Sequence, residues 1–228
     1  MRSLLYLFLL LIINNASEHR LIDKTNTHTR NIKTFGAEYF SANNKKILTY
    51  KSDFGDTKSW FSTDDSLIVF HNESDNFQYR QKLLINDKGV FVKETYQRIK
   101  VFLFINKEGT YTYSKPLLRI PFPIAEGSQW TWDGKEFCDG DTNTVSVTGK
   151  ILGLDTVTTD AGKFEAMKIE SVIQSSEGTK NILTEWFAAG IGMVKLHLVI
   201  EGSGFASFIK NILGYGNIDF ELEKISPD

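Results

Sequence analysis

From residue 35 onward, hydrophobic and polar residues alternate in short runs, and this period of two is typical of β-strands with one buried face. The clearest run in the first half places aromatic and aliphatic residues on one face: Phe77, Tyr79, Leu83 and Ile85. In the second half the alternation predicts strands at 145–151, 167–173, 182–187, 194–200 and 217–224. Clusters of turn-forming residues separate the runs, at 86–89, 106–109, 160–162 and 175–179. The pattern predicts an all-β fold, a curved antiparallel meander that forms a half-open or closed barrel.

The strand that returns from the turn at 86–89 begins at Val90, and its pattern predicts Val92, Glu94 and Tyr96 on one face. The turn predicted at 106–109 would follow it, after an apolar run at 100–105. Residues 110–114 would then form the next strand of the meander.

One segment has a different period. Its apolar residues recur at intervals of three and four, which is the spacing of an amphipathic helix: Phe205, Phe208, Ile209, Ile212 and Leu213. Glycines lie on both sides of it. We therefore expect one short helix near the C-terminus, at about 205–213, which would plug an open end of the curved sheet.

A proline-rich segment at 115–134 divides the β-pattern into two halves. It contains three of the four prolines in the chain, Pro116, Pro121 and Pro123. Proline has no amide hydrogen and is excluded from the inside of a paired ladder. The segment is therefore predicted to be an extended crossover at a sheet edge, joining the halves of a single β-domain at 35–228.

The N-terminus has the pattern of a secretory signal peptide. Arg2 precedes the apolar run Leu4–Ile13, and small residues follow it at Ala16 and Ser17. The run is well short of the ~20 residues that a membrane-spanning helix needs. We expect a signal peptide at 1–17, a flexible lead-in at 18–34, a periplasmic or secreted location, and no transmembrane segment after signal removal.

Composition narrows the class of protein. Hydrophobic residues make up 41% and aromatic residues 13% of the chain, which fits a folded and strand-rich domain. The formal net charge is −2, and Lys and Arg are not clustered, so we expect no nucleic-acid partner. Cys138 is the single cysteine, so an intramolecular disulfide is impossible.

The segment 133–143 contains the densest group of acidic residues. Asp139, Asp141 and Asn143 match the first three ligand positions of a calcium loop. Thr144 and Lys150 stand where such a loop needs glycine and a carboxylate. A solvated hairpin is the better interpretation, and we predict no metal and no cofactor.

Cys138 would be a nucleophile only with a histidine nearby, and the domain offers His71 and His197. His197 alternates with an apolar face, and acidic neighbours of Cys138 disfavour its thiolate. An inert thiol is therefore the preferred interpretation. The sequence contains no phosphate-binding, nucleophile-elbow or zinc-protease motif, so no catalytic residue is assigned and an enzyme is the less favoured class.

Three further segments resemble a loose family of exported bacterial β-proteins of unknown function. The segments are Gly127-x-x-Trp130, residues 161–169 (AGKFEAMKI) and residues 184–195 (TEWFAAGIGMVK). The resemblance spans about 116–200 and implies a curved or partly closed sheet, similar to periplasmic lipoprotein-carrier folds. The helix near Phe208 and the acidic residues around Cys138 depart from the family pattern. The resemblance assigns no functional residue.

These observations favour a non-catalytic domain that binds an apolar small molecule or lipid in a cavity enclosed by the sheet. The expected ligand-binding residues are aromatic: Trp130, Trp132, Trp186, Phe205 and Phe208. A simple core role for the tryptophans is the competing interpretation. Two other functions stay open, a structural domain that binds an envelope protein and a hydrolase that uses Glu136 or Asp139.

Overall fold

Twelve antiparallel strands form a closed barrel in a computed structural model that describes residues 36–40, 46–101, 105–202 and 217–227. Each strand pairs with its neighbours in the chain, and β1 pairs with β12 to close the barrel. The strands are β1 (Lys46–Ser52), β2 (Thr57–Asp64), β3 (Leu67–Glu73), β4 (Phe77–Asn86), β5 (Gly89–Val101), β6 (Ile105–Pro121), β7 (Gln129–Cys138), β8 (Asp141–Thr159), β9 (Gly162–Ser175), β10 (Thr179–Ala188), β11 (Gly192–Gly202) and β12 (Asn217–Pro227). This confirms the predicted all-β meander and its barrel form.

The alternation of buried and exposed residues follows the predicted strands. In β4, Phe77, Tyr79 and Leu83 are buried and face the interior. The prediction of a turn at 106–109 is wrong, because these residues lie in β6 and pair with β5 at Arg98↔Glu108 and Gln97↔Gly109. Polar and glycine residues are typical of turns, but here they occupy one strand of a long hairpin.

One end of the barrel, which we call the capped end, carries the β2–β3, β4–β5, β6–β7, β8–β9 and β10–β11 turns. The 3-10 turn Ala37–Tyr39 packs there and places Phe40 between two rings, with centroid distances of 5.7 Å to Phe122 and 5.1 Å to Phe187. The Gly190 amide donates to the Glu38 carbonyl at 2.7 Å. Apolar packing and a backbone hydrogen bond therefore close the capped end.

The β8–β9 hairpin extends beyond its neighbours at this end. Its tip reaches across the shorter β10–β11 hairpin, and the Ala161 amide donates to the Leu222 carbonyl of β12 at 3.3 Å. Asp160 at the same tip forms an exposed ion pair with Lys51 of β1 at 3.4 Å. The tip of the long hairpin thus contacts β12 and β1, while the rest of the hairpin forms part of the wall.

The proline-rich segment differs from the prediction of a crossover at 115–134. Pro116 and Pro121 lie in β6, which bonds to β5, and β7 begins at Gln129, so the connection is confined to 122–128. The missing proline amides have little effect because the other edge of β6 lacks a ladder over this region. Paired residues of β6 and β7 are limited to Thr112↔Phe137 and Tyr113↔Glu136. We call the unladdered remainder, residues 114–121 against 129–135, the β6–β7 seam.

Two predictions lie outside the described residues. They are the helix at 205–213, with Phe205 and Phe208, and the signal peptide and lead-in at 1–34. None of the helices in the described ranges is long and apolar enough to cross a membrane.

Candidate functional site in the barrel interior

A band of polar side chains faces the barrel interior along five neighbouring strands. We call it the polar band, and its members are Gln81, Thr95, Gln97, Tyr111, Tyr113, Glu136 and Asn143. Gln81 donates to the Thr95 hydroxyl at 3.4 Å, and that hydroxyl is 3.3 Å from the hydroxyl of Tyr113. Gln97 donates to the Tyr111 hydroxyl at 3.1 Å. Hydrogen bonds between neighbouring strands therefore offset part of the cost of burying these groups.

Glu136 lies in the band directly between Tyr113 on β6 and Asn143 on β8. Its side chain is fully buried, and neither carboxyl oxygen has a hydrogen-bond partner among the described residues. Burial, with a smaller contribution from the charge of Glu177, raises the pKa of Glu136 to about 8. Glu136 is therefore mostly protonated at neutral pH and presents both a hydroxyl donor and a carbonyl acceptor.

Asn143 faces the interior opposite Glu136, and its Nδ2 is buried with no hydrogen-bond partner among the described residues. Asp139 and Asp141 are exposed at the β7–β8 turn instead. Asp139 and Gly140 have positive φ angles of 50° and 87°, as the two central residues of a type I′ hairpin turn do. The segment is a hairpin, as predicted, but the prediction that it is solvated is wrong for its inward-facing residues, because Glu136, Cys138 and Asn143 are buried. The three residues of the calcium-like pattern therefore lie in different environments.

Cys138 follows Glu136 on the inner face of β7 and is buried. Burial, and then the negative charge of Asp139, raise the pKa of its thiol to about 12, so the thiol stays protonated. The two candidate histidines lie on the outer face. His71 stacks on Trp60 with ring centroids 4.7 Å apart, and His197 bonds Asp219 at 2.8 Å. The described residues therefore provide no histidine to activate Cys138.

Trp130 and Trp132 both face the interior from β7 and are buried. Each indole lies flat over a glycine: a Cβ would come within 2.1 Å of the Trp130 ring at Gly149, and within 2.3 Å of the Trp132 ring at Gly134. The two rings can lie against the wall because glycine has no Cβ at these two positions. The sequence pattern places both rings on one face but does not show the role of the glycines.

Trp132 also closes the β6–β7 seam. Its Nε1 donates to the Pro116 carbonyl at 3.1 Å, and Tyr113 meets its ring edge-on at a centroid distance of 6.1 Å. Ser114 adds a second side-chain link, because its Oγ accepts from the Lys135 amide at 3.0 Å. Side chains thus replace the backbone ladder between these two strands. Trp132 also joins the seam to Tyr113 of the polar band.

Trp186 lies on the other side of the wall. It alternates with the inward-facing Glu185 and Phe187, and its Nε1 donates to Asp155 at 3.0 Å. Lys168 lies over its ring at 5.0 Å. The structure therefore brings Trp130 and Trp132 together but places Trp186 on the outer face, away from them.

An ion pair crosses the interior between Arg119 on β6 and Glu185 on β10, and both side chains are fully buried. Burial raises the pKa of Glu185, and the Arg119 charge opposes that shift. Arg119 Nε and Nη1 and Glu185 Oε1 have no further hydrogen-bond partner among the described residues. The hydrophobic pattern of the sequence does not predict this pair. The sequence does contain one indication of a buried charge, because Glu185 alternates with the apolar residues Leu183 and Phe187 on the inward-facing side of β10.

The fold and site define a closed meander barrel of twelve strands with an interior that is partly apolar and partly polar. Residues 136–197 match the model of the DUF3108-like family. This range includes Glu136, Asn143 and Glu185 but not the two inward-facing tryptophans. Comparison with curated protein sequences gives no significant match.

Three solved structures are similar to the chain at low identity. A candidate lipoprotein of Parabacteroides distasonis shares 13% identity, with 85% of this chain and 99% of that protein covered and a TM-score of 0.39. The hypothetical lipoprotein YmcC of Escherichia coli shares 10%, with 80% and 87% covered and a TM-score of 0.39. A candidate exported protein of Bacteroides fragilis with a YmcC-like fold shares 15%, with 80% and 96% covered and a TM-score of 0.39.

Proposed function

We propose that this protein is an exported, non-catalytic barrel that binds a hydrophobic or lipid-like ligand in its interior. The observation that carries the proposal is the position of Trp130 and Trp132, which face the interior of a closed sheet beside the polar band. An apolar surface with a few convergent polar groups is the usual composition of a small-molecule site. Export rests on the signal-peptide pattern at 1–17.

The size of the barrel supports an internal ligand. About eight strands enclose an interior that side chains alone can fill, and barrel diameter grows with strand number. This barrel has twelve strands. The additional width is suited to an elongated apolar molecule between the walls, with the two indole rings lying against it.

The amphipathic character of the interior favours a ligand of the same character. Apolar side chains such as Phe40, Phe187 and Ile151 fill the region of the capped end. Glu136 and Asn143 supply buried polar atoms farther along the same interior. A molecule with an apolar chain and one polar group would match both regions, because each buried polar atom needs a hydrogen-bond partner.

The other two functions have less support. The large apolar residues that the described ranges expose are Phe137 and Leu154, which lie far apart along neighbouring strands and form no common patch for a protein partner. Asp139, one of the acids considered for a hydrolase, is exposed at a hairpin turn.

Mass spectrometry of an organic extract tests the proposal. The protein, purified from envelope fractions without detergent, should release one lipid class at about one molecule per barrel. After removal of this lipid, the protein should bind a fluorescent acyl probe. An organic extract of the same delipidated sample is the matched control for the mass spectrum. A blank extract together with no binding of the probe would remove the proposal.

A further inference from the structure

Glu136 and Asn143 differ from the rest of the polar band. Gln81, Thr95 and Tyr113 are linked to one another by hydrogen bonds. Both carboxyl oxygens of Glu136 and the Nδ2 of Asn143 are buried without a partner among the described residues. Buried polar groups in native proteins are satisfied in more than about nine cases in ten. Gln81 Oε1 and several buried atoms outside the band, such as those of the Asn72 amide, also lack a partner among the described residues. Glu136 and Asn143 stand apart because they are directly opposed on β7 and β8 and face the same interior, so one bound group can satisfy both.

The ladder places these two side chains together. Glu136 and Asn143 are directly opposed partners on β7 and β8, so their Cβ atoms are roughly 5 Å apart on the same face. Trp132, on the same face of β7 and four residues earlier, lies on the capped side of Glu136. An apolar chain lying along Trp130 and Trp132 would therefore bring its end to the Glu136–Asn143 pair.

We propose that Glu136 and Asn143 bind the head group of the internal ligand, and that this head group is a neutral one that accepts hydrogen bonds, such as a hydroxyl or an ester or amide carbonyl. The inference rests on the proposed function and specifies its ligand. Asn143 Nδ2 and the Glu136 hydroxyl donate to the head group, while the Glu136 carbonyl can accept from it.

The charges around the pair favour a neutral head group over an anion. The acidic groups near it are Glu136 itself, Glu177 on the β9–β10 turn and Asp139 on the β7–β8 turn. The other titratable neighbours, Tyr113 on β6 and Cys138 on β7, have raised pKa values and stay neutral well above pH 8. Of Glu136, Tyr113 and Cys138, Glu136 is therefore the one that changes charge between pH 7 and 9.

A comparison of three ligands with the same acyl chain tests the proposal: monoolein, oleate and oleylamine. Dissociation constants would be measured by intrinsic tryptophan fluorescence at pH 6.5, 7.5 and 9. Monoolein does not titrate in this range. Its affinity should be highest at pH 6.5 and should fall about tenfold by pH 9, since an ionised Glu136 no longer donates a hydrogen bond and is costly to bury. Oleate should bind about tenfold more weakly than monoolein at pH 7.5.

Two substitutions separate the proposal from a purely structural role for Glu136. Glu136→Gln keeps a donor and an acceptor, so monoolein should bind with unchanged affinity at pH 6.5 and without pH dependence. Glu136→Leu should lose about tenfold in affinity for monoolein at pH 6.5 while an unsubstituted alkane probe binds as before. Glu170→Gln, on the exposed outer face of β9, is the matched control and should change nothing.

The outcomes distinguish this inference from the proposed function. No binding of any ligand at any pH would remove both. Binding of monoolein that is independent of pH and of Glu136→Leu would overturn the head-group site and leave the internal ligand in place. Preferred binding of oleylamine that strengthens as pH rises would mean a cation site, which also overturns the inference.

Discussion

Two strand pairings of the barrel wall, β8–β9 and β6–β7, are built in different ways. Between β8 and β9 a backbone ladder runs from Val145↔Ser175 to Thr159↔Gly162, with one irregularity at Ile151 and Gly153. Between β6 and β7 the ladder is limited to two residue pairs, and side chains of Trp132 and Ser114 hold the remaining contact. The β8–β9 pairing therefore depends on main-chain hydrogen bonds, and the β6–β7 pairing depends on particular side chains.

The two pairings should differ in their tolerance of substitutions and in how easily they open. A ladder tolerates most substitutions on its exposed face, because its hydrogen bonds come from the main chain. A seam closed by an indole ring can separate locally at lower cost, since fewer hydrogen bonds must break. The β6–β7 seam lies beside Trp132 and Tyr113, so we expect a ligand to reach the interior there rather than through β8–β9.

The largest effect should come from the ion pair that links β6 to β10 across the interior. Arg119→Met leaves Glu185 buried without its counter-charge, and the free energy of unfolding should fall by about 3–5 kcal/mol in urea titrations at pH 7. The double variant Arg119→Met/Glu185→Leu should regain most of the loss, because no unpaired charge remains. Lys82→Met, which removes exposed ion pairs with Asp64 and Glu94, is the control and should cost less than about 1 kcal/mol.

If the double variant were as unstable as Arg119→Met, the cost would come from lost packing rather than from the buried charge.

Removal of the indole at the seam should have the next largest effect. Trp132→Ala should lower the free energy of unfolding by about 3 kcal/mol, since it removes a buried ring and the bond to Pro116. Hydrogen exchange should accelerate for amides in 129–135 and stay slow in 162–175. The control is Trp186→Ala on the outer face of β10, which should leave hydrogen exchange in 129–135 unchanged. If hydrogen exchange accelerated equally in 129–135 and 162–175, side chains would not be what holds the β6–β7 seam together.

The smallest effect, taken over one pH unit, is a pH dependence at Tyr113↔Glu136, the ladder pair that borders the seam. The pKa of Glu136 rises from an ordinary 4.5 to about 8 on folding, so the folded state keeps a proton that the unfolded state loses between these values. The free energy of unfolding should therefore fall as pH rises through this window, by up to ~1.4 kcal/mol per pH unit from this group.

Urea titrations at several pH values would measure this slope. Glu136→Gln should flatten it and be the more stable protein at pH 8, while Glu170→Gln should keep the original slope. Identical slopes in the native protein and Glu136→Gln would mean that Glu136 is hydrated or paired in solution.

Most of the strands are predictable because hydrophobic alternation reports which face is buried. β4 and the strands of the second half lie where the pattern places them. The register of β5 does not follow the pattern. A bulge between Val92 and Glu94 turns Thr95 and Gln97 inward and leaves Tyr96 on the outer face, whereas the pattern grouped Tyr96 with Val92. Bulges depend on the partner strand and have little signal in a single sequence.

The site was less predictable than the fold. Trp130 and Trp132 could be placed on one face because they are two residues apart in a strand. The polar band could not be predicted, because Gln81, Glu136 and Asn143 are residue types that a hydrophobicity pattern assigns to solvent. The sequence pattern places Glu136 with the acidic residues of a solvated turn. In the structure the tight Asp139–Gly140 turn fixes the register of β7 against β8, and this register turns Glu136 toward the interior.

Quenching of tryptophan fluorescence by a brominated acyl ligand tests the internal ligand most directly, because quenching requires contact with the ring. We expect strong quenching in Trp60→Phe/Trp186→Phe, which keeps the inward-facing Trp130 and Trp132. We expect little quenching in Trp130→Phe/Trp132→Phe, which keeps the two outer indoles. Quenching of the outer pair alone, or of both pairs equally, would contradict a ligand held inside the barrel.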